Sequence, residues 1–206
     1  MRASRTYVRL LAAGAAIVML AGCTSEPDDQ LGPPSPGLPD AGEDFDGLDV
    51  PPVEEPLELG TLADNPCEAL PDEWLAEHGY TEPPSGISSP EEGLFCRWDS
   101  PESRRDSISI TIGTLVPEED DGGLQRLYRR HELGVLRYFE ETTISGYPAV
   151  FSDVNELGQD FGNARITVGI RDDLTFEINI RGPRAELAVV EAKAADAAKQ
   201  VIDTLR

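Results

Sequence analysis

In "ARITVGIRDDLTFEINI", residues 164–180, apolar side chains take alternate positions on both sides of an Asp-Asp pair. Ile166, Val168 and Ile170 share one face, and Leu174, Phe176, Ile178 and Ile180 share another. A period of two means a strand with one side on a core and the other wet. Asp172-Asp173 between them suits a tight hairpin.

Working outward, "RDSISITIGTL" repeats the pattern with Ile108, Ile110 and Ile112. "LFCRWDS" reads as a further strand, and "VLRYFEETTISGYPAVFSDV" as two more turned at Gly146. "GGLQRLYRRHELG" reads as a short helix between glycines, with Arg126 and Arg130 one turn apart. At the C-terminus Leu187, Val190, Ala194, Ala197, Val201 and Leu205 recur every three or four residues, the stripe of a long amphipathic helix. "NPCEALPDEWLAEHGY" predicts a first helix with Asn65 as cap, Pro66 at its first position and a stop at Gly79. Residues 80–94, with three prolines and two glycines, read as a loop. The expected fold is α+β: an antiparallel sheet of about five to six strands, with helices mainly on one face.

The N-terminus has a different character. Arg2, Arg5 and Arg9 precede eleven uncharged, mostly apolar positions, 10–20. At ~1.5 Å per residue these cover roughly half of a ~30 Å hydrocarbon core, which fits a secretory signal better than an anchor helix. Leu20-Ala21-Gly22-Cys23 resembles the lipobox of bacterial lipoproteins. That resemblance implies cleavage after residue 22, acylation of Cys23, and a protein held by acyl chains on the extracytoplasmic face of the cell membrane. Between Cys23 and Cys67 lie twelve acids, no Lys or Arg, and nine of the seventeen prolines. Residues 23–64 therefore read as a disordered acidic tether, and 65–206 as one domain.

With Cys23 acylated, Cys67 and Cys96 are the two thiols left, 29 residues apart. Outside the cytoplasm such a pair most often forms a disulfide, ahead of metal binding or a Cys-His nucleophile. A net charge of −22 makes nucleic acid a poor partner.

Searching for chemistry gives little. His78 and His131 sit at expected helix ends, where they meet free carbonyls more often than substrates. "PEEDDGG", 117–123, lacks the oxygen spacing of a calcium loop, and no metal or cofactor site is expected. Arg126, Arg129 and Arg130 are anion ligands in principle, with salt bridges to the many acids as the favoured alternative. Trp74 and Trp98, near the cysteines in sequence, are expected to pack around the disulfide.

"NPCEAL", "FCRW", "GYPAV" and the alanine-rich last helix, behind a lipobox, resemble an actinobacterial lipoprotein family known as domain of unknown function 3558. Cys67 and Cys96 match that family's first cysteine pair; a second pair found in many members is absent here. The resemblance implies an envelope lipoprotein and carries no reaction, cofactor or catalytic residue. The expected role is a non-enzymatic module for an envelope protein or small ligand. The alternative is an extracytoplasmic hydrolase working through carboxylates such as Asp106, Asp160 and Glu177. A deep pocket with two buried carboxylates marks the enzyme; a shallow apolar groove marks the binder.

Overall fold

A computed structural model describes residues 47–89, 93–113, 122–153, 162–183 and 185–206. The alternating segments become strands of one sheet. These are β1 (Ser85–Ser89), β2 (Gly93–Ser100), β3 (Ser103–Ile112), β4 (Tyr138–Ile144), β5 (Tyr147–Asp153), β6 (Gly162–Arg171) and β7 (Leu174–Gly182). Their order is β1-β2-β3-β7-β6-β5-β4, and every neighbouring pair is antiparallel. Hairpin turns at Asp172-Asp173 and Ser145-Gly146 close β6–β7 and β4–β5 at the expected places.

Register sorts the two faces. Ile110 lies opposite Ile178, and Ile178 opposite Ile166, so the isoleucines of three strands meet on one side. That side is covered by α1 (Asp72–Glu77) and α3 (Leu187–Leu205), whose residues join the isoleucines in one buried cluster. Along α3, Val190, Ala194, Ala197 and Val201 are buried as the stripe predicts, together with Ala198 and Ile202, while Leu187 and Leu205 are half-buried. The three alanines keep the helix close to the sheet. The opposite side carries α2 (Gln125–Glu132), with Leu124, Leu127, Tyr128 and Leu136 packed against Val150 of β5.

Three expectations are corrected. The sheet has seven strands rather than five or six, because β1 runs through the stretch read as a loop. Ser-Gly-Ile-Ser-Ser has no alternating apolar pattern; pairing with β2 makes it an edge strand. The first helix is split into a 3₁₀ turn at Pro66–Glu68 and α1. Pro71 causes the break, since a residue preceding proline is steered away from helical backbone and Pro71 itself is extended (ψ 139°). The cap is as expected: Asn65 accepts from the backbone N–H of Cys67 at 3.2 Å.

The boundary at residue 65 also moves. Residues 47–64 lie on the fold, with Leu62 buried at 1% exposure and Val53 buried as well. The Leu57 N–H donates to the Ile170 carbonyl at 2.9 Å, and the Tyr147 hydroxyl to the Glu55 carbonyl at 2.9 Å. Composition misled here: acids and prolines face outward while Val53, Leu57, Leu59 and Leu62 meet the core, an irregular strap with no helical or strand period. The folded unit thus includes residue 47 onward; 23–46 lie outside the described residues.

Cys67 and Cys96 are joined by a disulfide, tying the 3₁₀ turn to β2. Gly86 lies opposite Cys96 in the register, and a Cβ there would come within 2.7 Å of Cys67 Sγ. The edge strand accepts glycine because the disulfide passes beside it. Closing a 29-residue loop is worth about 3–4 kcal/mol on the chain-entropy account. We expect Cys67→Ala/Cys96→Ala to melt lower by on the order of 10 °C. The oxidised wild type should show no thiol reactive at Cys67 or Cys96; an unchanged melting temperature would remove the disulfide from the stability account.

Candidate functional site

The wet face of the sheet is not simply wet. Register sets Thr111 of β3, Glu177 of β7 and Thr167 of β6 side by side, and Val150 of β5 next to Thr167. The helix α2 roofs this row. It is held at one end by Gly123 (φ +63°), which packs so closely on the Asp172 carbonyl that a side chain has no room. Between roof and sheet is a cavity of about 160 Å³.

Two arginines come down from the roof. Arg126 and Arg130, one turn apart on α2, both line the cavity, and Arg165 reaches it from β6. Glu177 stands on the floor, its Oε1 3.3 Å from Arg165 Nε. Hydroxyls of Thr111, Ser152, Thr167 and Thr175 complete much of the lining. Thr167 is 5% exposed, and its Oγ1 is buried without a hydrogen-bond partner.

Glu177 titrates above the ordinary glutamate range. Burial among protein atoms is the largest cause; the positive charges of Arg165, Arg126 and Arg130 oppose it, and Asp153 adds to it. Its side chain keeps 29% exposure, so the cavity opens to solvent.

The remaining candidates scatter. Asp106 lies on the opposite face, at the α3 side, where its charge and hydrogen bond act on Tyr80. Burial is the larger cause that raises Tyr80, ahead of Asp106, and Lys193 Nζ donates to the Tyr80 hydroxyl at 2.7 Å. Burial likewise pushes Lys193 downward. Asp106 and Glu177 are therefore not brought together, and Asp160 lies outside the described residues, as do Cys23 and residues 117–121. His78 stacks on Trp74 (3.9 Å between centroids) and His131 on Phe139 (4.2 Å): both are packed aromatics at helix ends. Trp74 and Trp98 are buried in the cluster that includes Cys96, and Trp74 Nε1 donates to Asp196 at 2.7 Å. Arg129 does not line the cavity, whereas Arg126 and Arg130 do. A larger depression of about 320 Å³ lies between the N-terminal strap and α2, lined by Leu48, Val50, Pro52 and Leu124. Its charged residues, Arg171 and Asp172, stand on the hairpin turn, where Arg171 is held by Asp173 at 2.9 Å.

Sequence reasoning missed Arg165, Thr167 and Thr175. Alternation already puts Arg165 and Thr167 on the face opposite Ile166. What it does not supply is the knowledge that α2 covers that face.

A family model described as "Protein of unknown function (DUF3558)" matches residues 18–204. The chain belongs to that family. The match includes the strap at 47–64 with the sheet and helices. No curated protein matches this DUF3558 chain. Among the described residues no helix is long and apolar enough to cross a membrane, and no group of three or more His, Cys, Asp or Glu could hold a metal.

The environment of Glu177 sets a pH dependence. Unfolded, the group ionises near its ordinary value of 4.5; folded, it keeps its proton to higher pH. Through that window the folded state binds more protons, so stability falls as pH rises. We expect the melting-temperature difference between Glu177→Gln and wild type to grow in the variant's favour from pH 4 towards neutrality. A difference that is flat, or grows the other way, would show that the arginines outweigh burial.

Proposed function

We propose that the chain is a lipid-anchored lipoprotein on the extracytoplasmic face of the cell membrane, a non-enzymatic module that holds a small ligand beneath α2. The observation that carries the binding reading is the cavity itself. Three guanidiniums and a row of hydroxyls surround one carboxylate, a set suited to gripping a molecule. Hydrolysis by paired carboxylates asks for a second acid beside Glu177, and Asp106 is on the other face of the sheet. The Leu20–Cys23 lipobox supports the anchor, and the acidic charge of −22 leaves membrane attachment to the acyl chains rather than to anionic lipid.

Two outcomes are expected. Wild-type protein from membranes should yield an N-terminal peptide beginning at Cys23 and carrying acyl mass, while Cys23→Ala accumulates as unprocessed, unacylated precursor. An unmodified N-terminal peptide from wild type would sink the anchor. For binding, the mature protein in detergent is offered acidic, neutral and basic small molecules in turn. At least one class should shift the amide resonances of Thr111, Thr167 and Thr175; silence from all three classes would dispose of the ligand reading.

A further inference from the structure

On the binding reading above, we infer that the cavity beneath α2 is an oxyanion site: it takes a small molecule through a carboxylate or phosphate group, gripped by Arg126 and Arg130 from the helix and by hydroxyls from the sheet. Three observations converge on that chemistry.

The first is the local charge. The chain carries 39 acids against 17 Lys and Arg, yet this cavity is lined by three arginines and one glutamate. Arg165 stands 3.3 Å from Glu177 and is largely offset by it. Arg126 and Arg130 share that one carboxylate, with Asp153 the other acid whose charge reaches Glu177. The lining therefore has positive charge left over, in a protein whose overall charge works against it. Two guanidiniums one turn apart present planar N–H forks, the shape that fits two oxygens of one carboxylate or phosphate.

The second is the polarity of the neutral groups. Thr111, Ser152, Thr167 and Thr175 each have an O–H to donate, and Thr167 Oγ1 is buried with no partner. A buried hydroxyl without a partner is costly. An oxyanion offers several lone pairs and no proton, so it complements hydroxyls and guanidiniums together. The third is size. At about 160 Å³ the space resembles the ~150 Å³ cavity volumes that accept benzene, and an open side allows somewhat more. This fits a ligand of small-acid dimensions rather than a lipid or a peptide.

Glu177 then acts as a selector. Its charge repels an anion placed near Arg165, while an amine or hydroxyl elsewhere on the same ligand can donate to it.

The test uses the full mature protein in detergent at pH 7.5 and moderate salt, with inorganic phosphate and succinate as separate probes. At least one of them should raise the wild-type melting temperature and shift the Thr167 and Thr175 amides; which one does so separates phosphate from carboxylate chemistry. Arg126→Gln/Arg130→Gln should weaken that binding by about tenfold or more. Arg171→Gln, on the hairpin turn, should leave it unchanged. Glu177→Gln should bind the anion several-fold more tightly, an effect that a structural role for the glutamate does not produce. Should the double variant fail to fold, the wild-type amide shifts and Glu177→Gln still decide. Neutral or basic molecules shifting those amides while both anions leave them unmoved would overturn the inference and leave the binding reading standing. Weaker binding in Glu177→Gln would overturn it as well.

Discussion

The register of the β6–β7 hairpin governs which side of the sheet is apolar and which is charged. The two-residue turn at Asp172-Asp173 sets Arg171 opposite Leu174, and past a register shift between Gly169 and Arg171 Val168 meets Phe176 and Ile166 meets Ile178. A slip of one residue would turn each isoleucine of one strand to the wrong face. The same pairing aligns Thr167 with Glu177, and β3 extends the row through Thr111. Core and cavity are thus two consequences of one alignment. The turn is itself guarded: Asp172 accepts from the Val53 N–H at 3.1 Å, Asp173 grips Arg171, and Gly123 sits against the Asp172 carbonyl.

Around that hairpin the two faces are finished by different means. On the apolar face, α3 lies flat because its contact residues are largely alanine, and the Cys67–Cys96 bond brings the 3₁₀ turn and α1 in beside it. The helix is also tied by polar groups, with Trp74 to Asp196 and Tyr80 to Lys193. On the other face α2 rests mainly on Val150 and Phe139, with Leu48 and Val50 from the strap alongside. That smaller cluster sits to one side of the Thr111–Glu177–Thr167 row, so the sheet beneath part of the helix stays polar. The cavity exists because the apolar contact does not extend across the whole roof.

Much of this was legible in the residues, and what was not has identifiable causes. β3, β6, β7 and α3 carry clean periods, because each has one face on a core large enough to demand it, whereas β5 is buried along nearly its whole length. β1 carries none, since an edge strand of serine and glycine owes its shape to β2 and to the disulfide beside Gly86. The strap at 47–64 has the composition of a tether because charge and proline dominate it, although four apolar side chains spread over ten residues suffice to dock it. The cavity is half visible: the sequence places Arg126 and Arg130 one turn apart and Glu177 as an acid on a strand. Their meeting depends on which face α2 covers. No local pattern encodes that choice; it follows from the Gly122-Gly123 contact with the hairpin turn, a long-range packing event.

Cavity electrostatics also follow from placement rather than composition. Summed over the chain the field is strongly negative, and at distances beyond ~8 Å in physiological salt that sum is largely screened. Inside the cavity the nearest groups decide, and the nearest groups are three guanidiniums and Glu177. Burial raises the cost of ionising Glu177 even with those guanidiniums at hand, since losing water outweighs their attraction. Arg126, Arg130 and Arg165 are half-buried like Glu177, but a guanidinium is weakly hydrated and loses less on leaving water. The cavity therefore holds three half-buried positive charges, two on the helix and one on β6, around a single carboxylate on the floor. An acidic chain can in this way keep a locally basic recess without altering its outer surface.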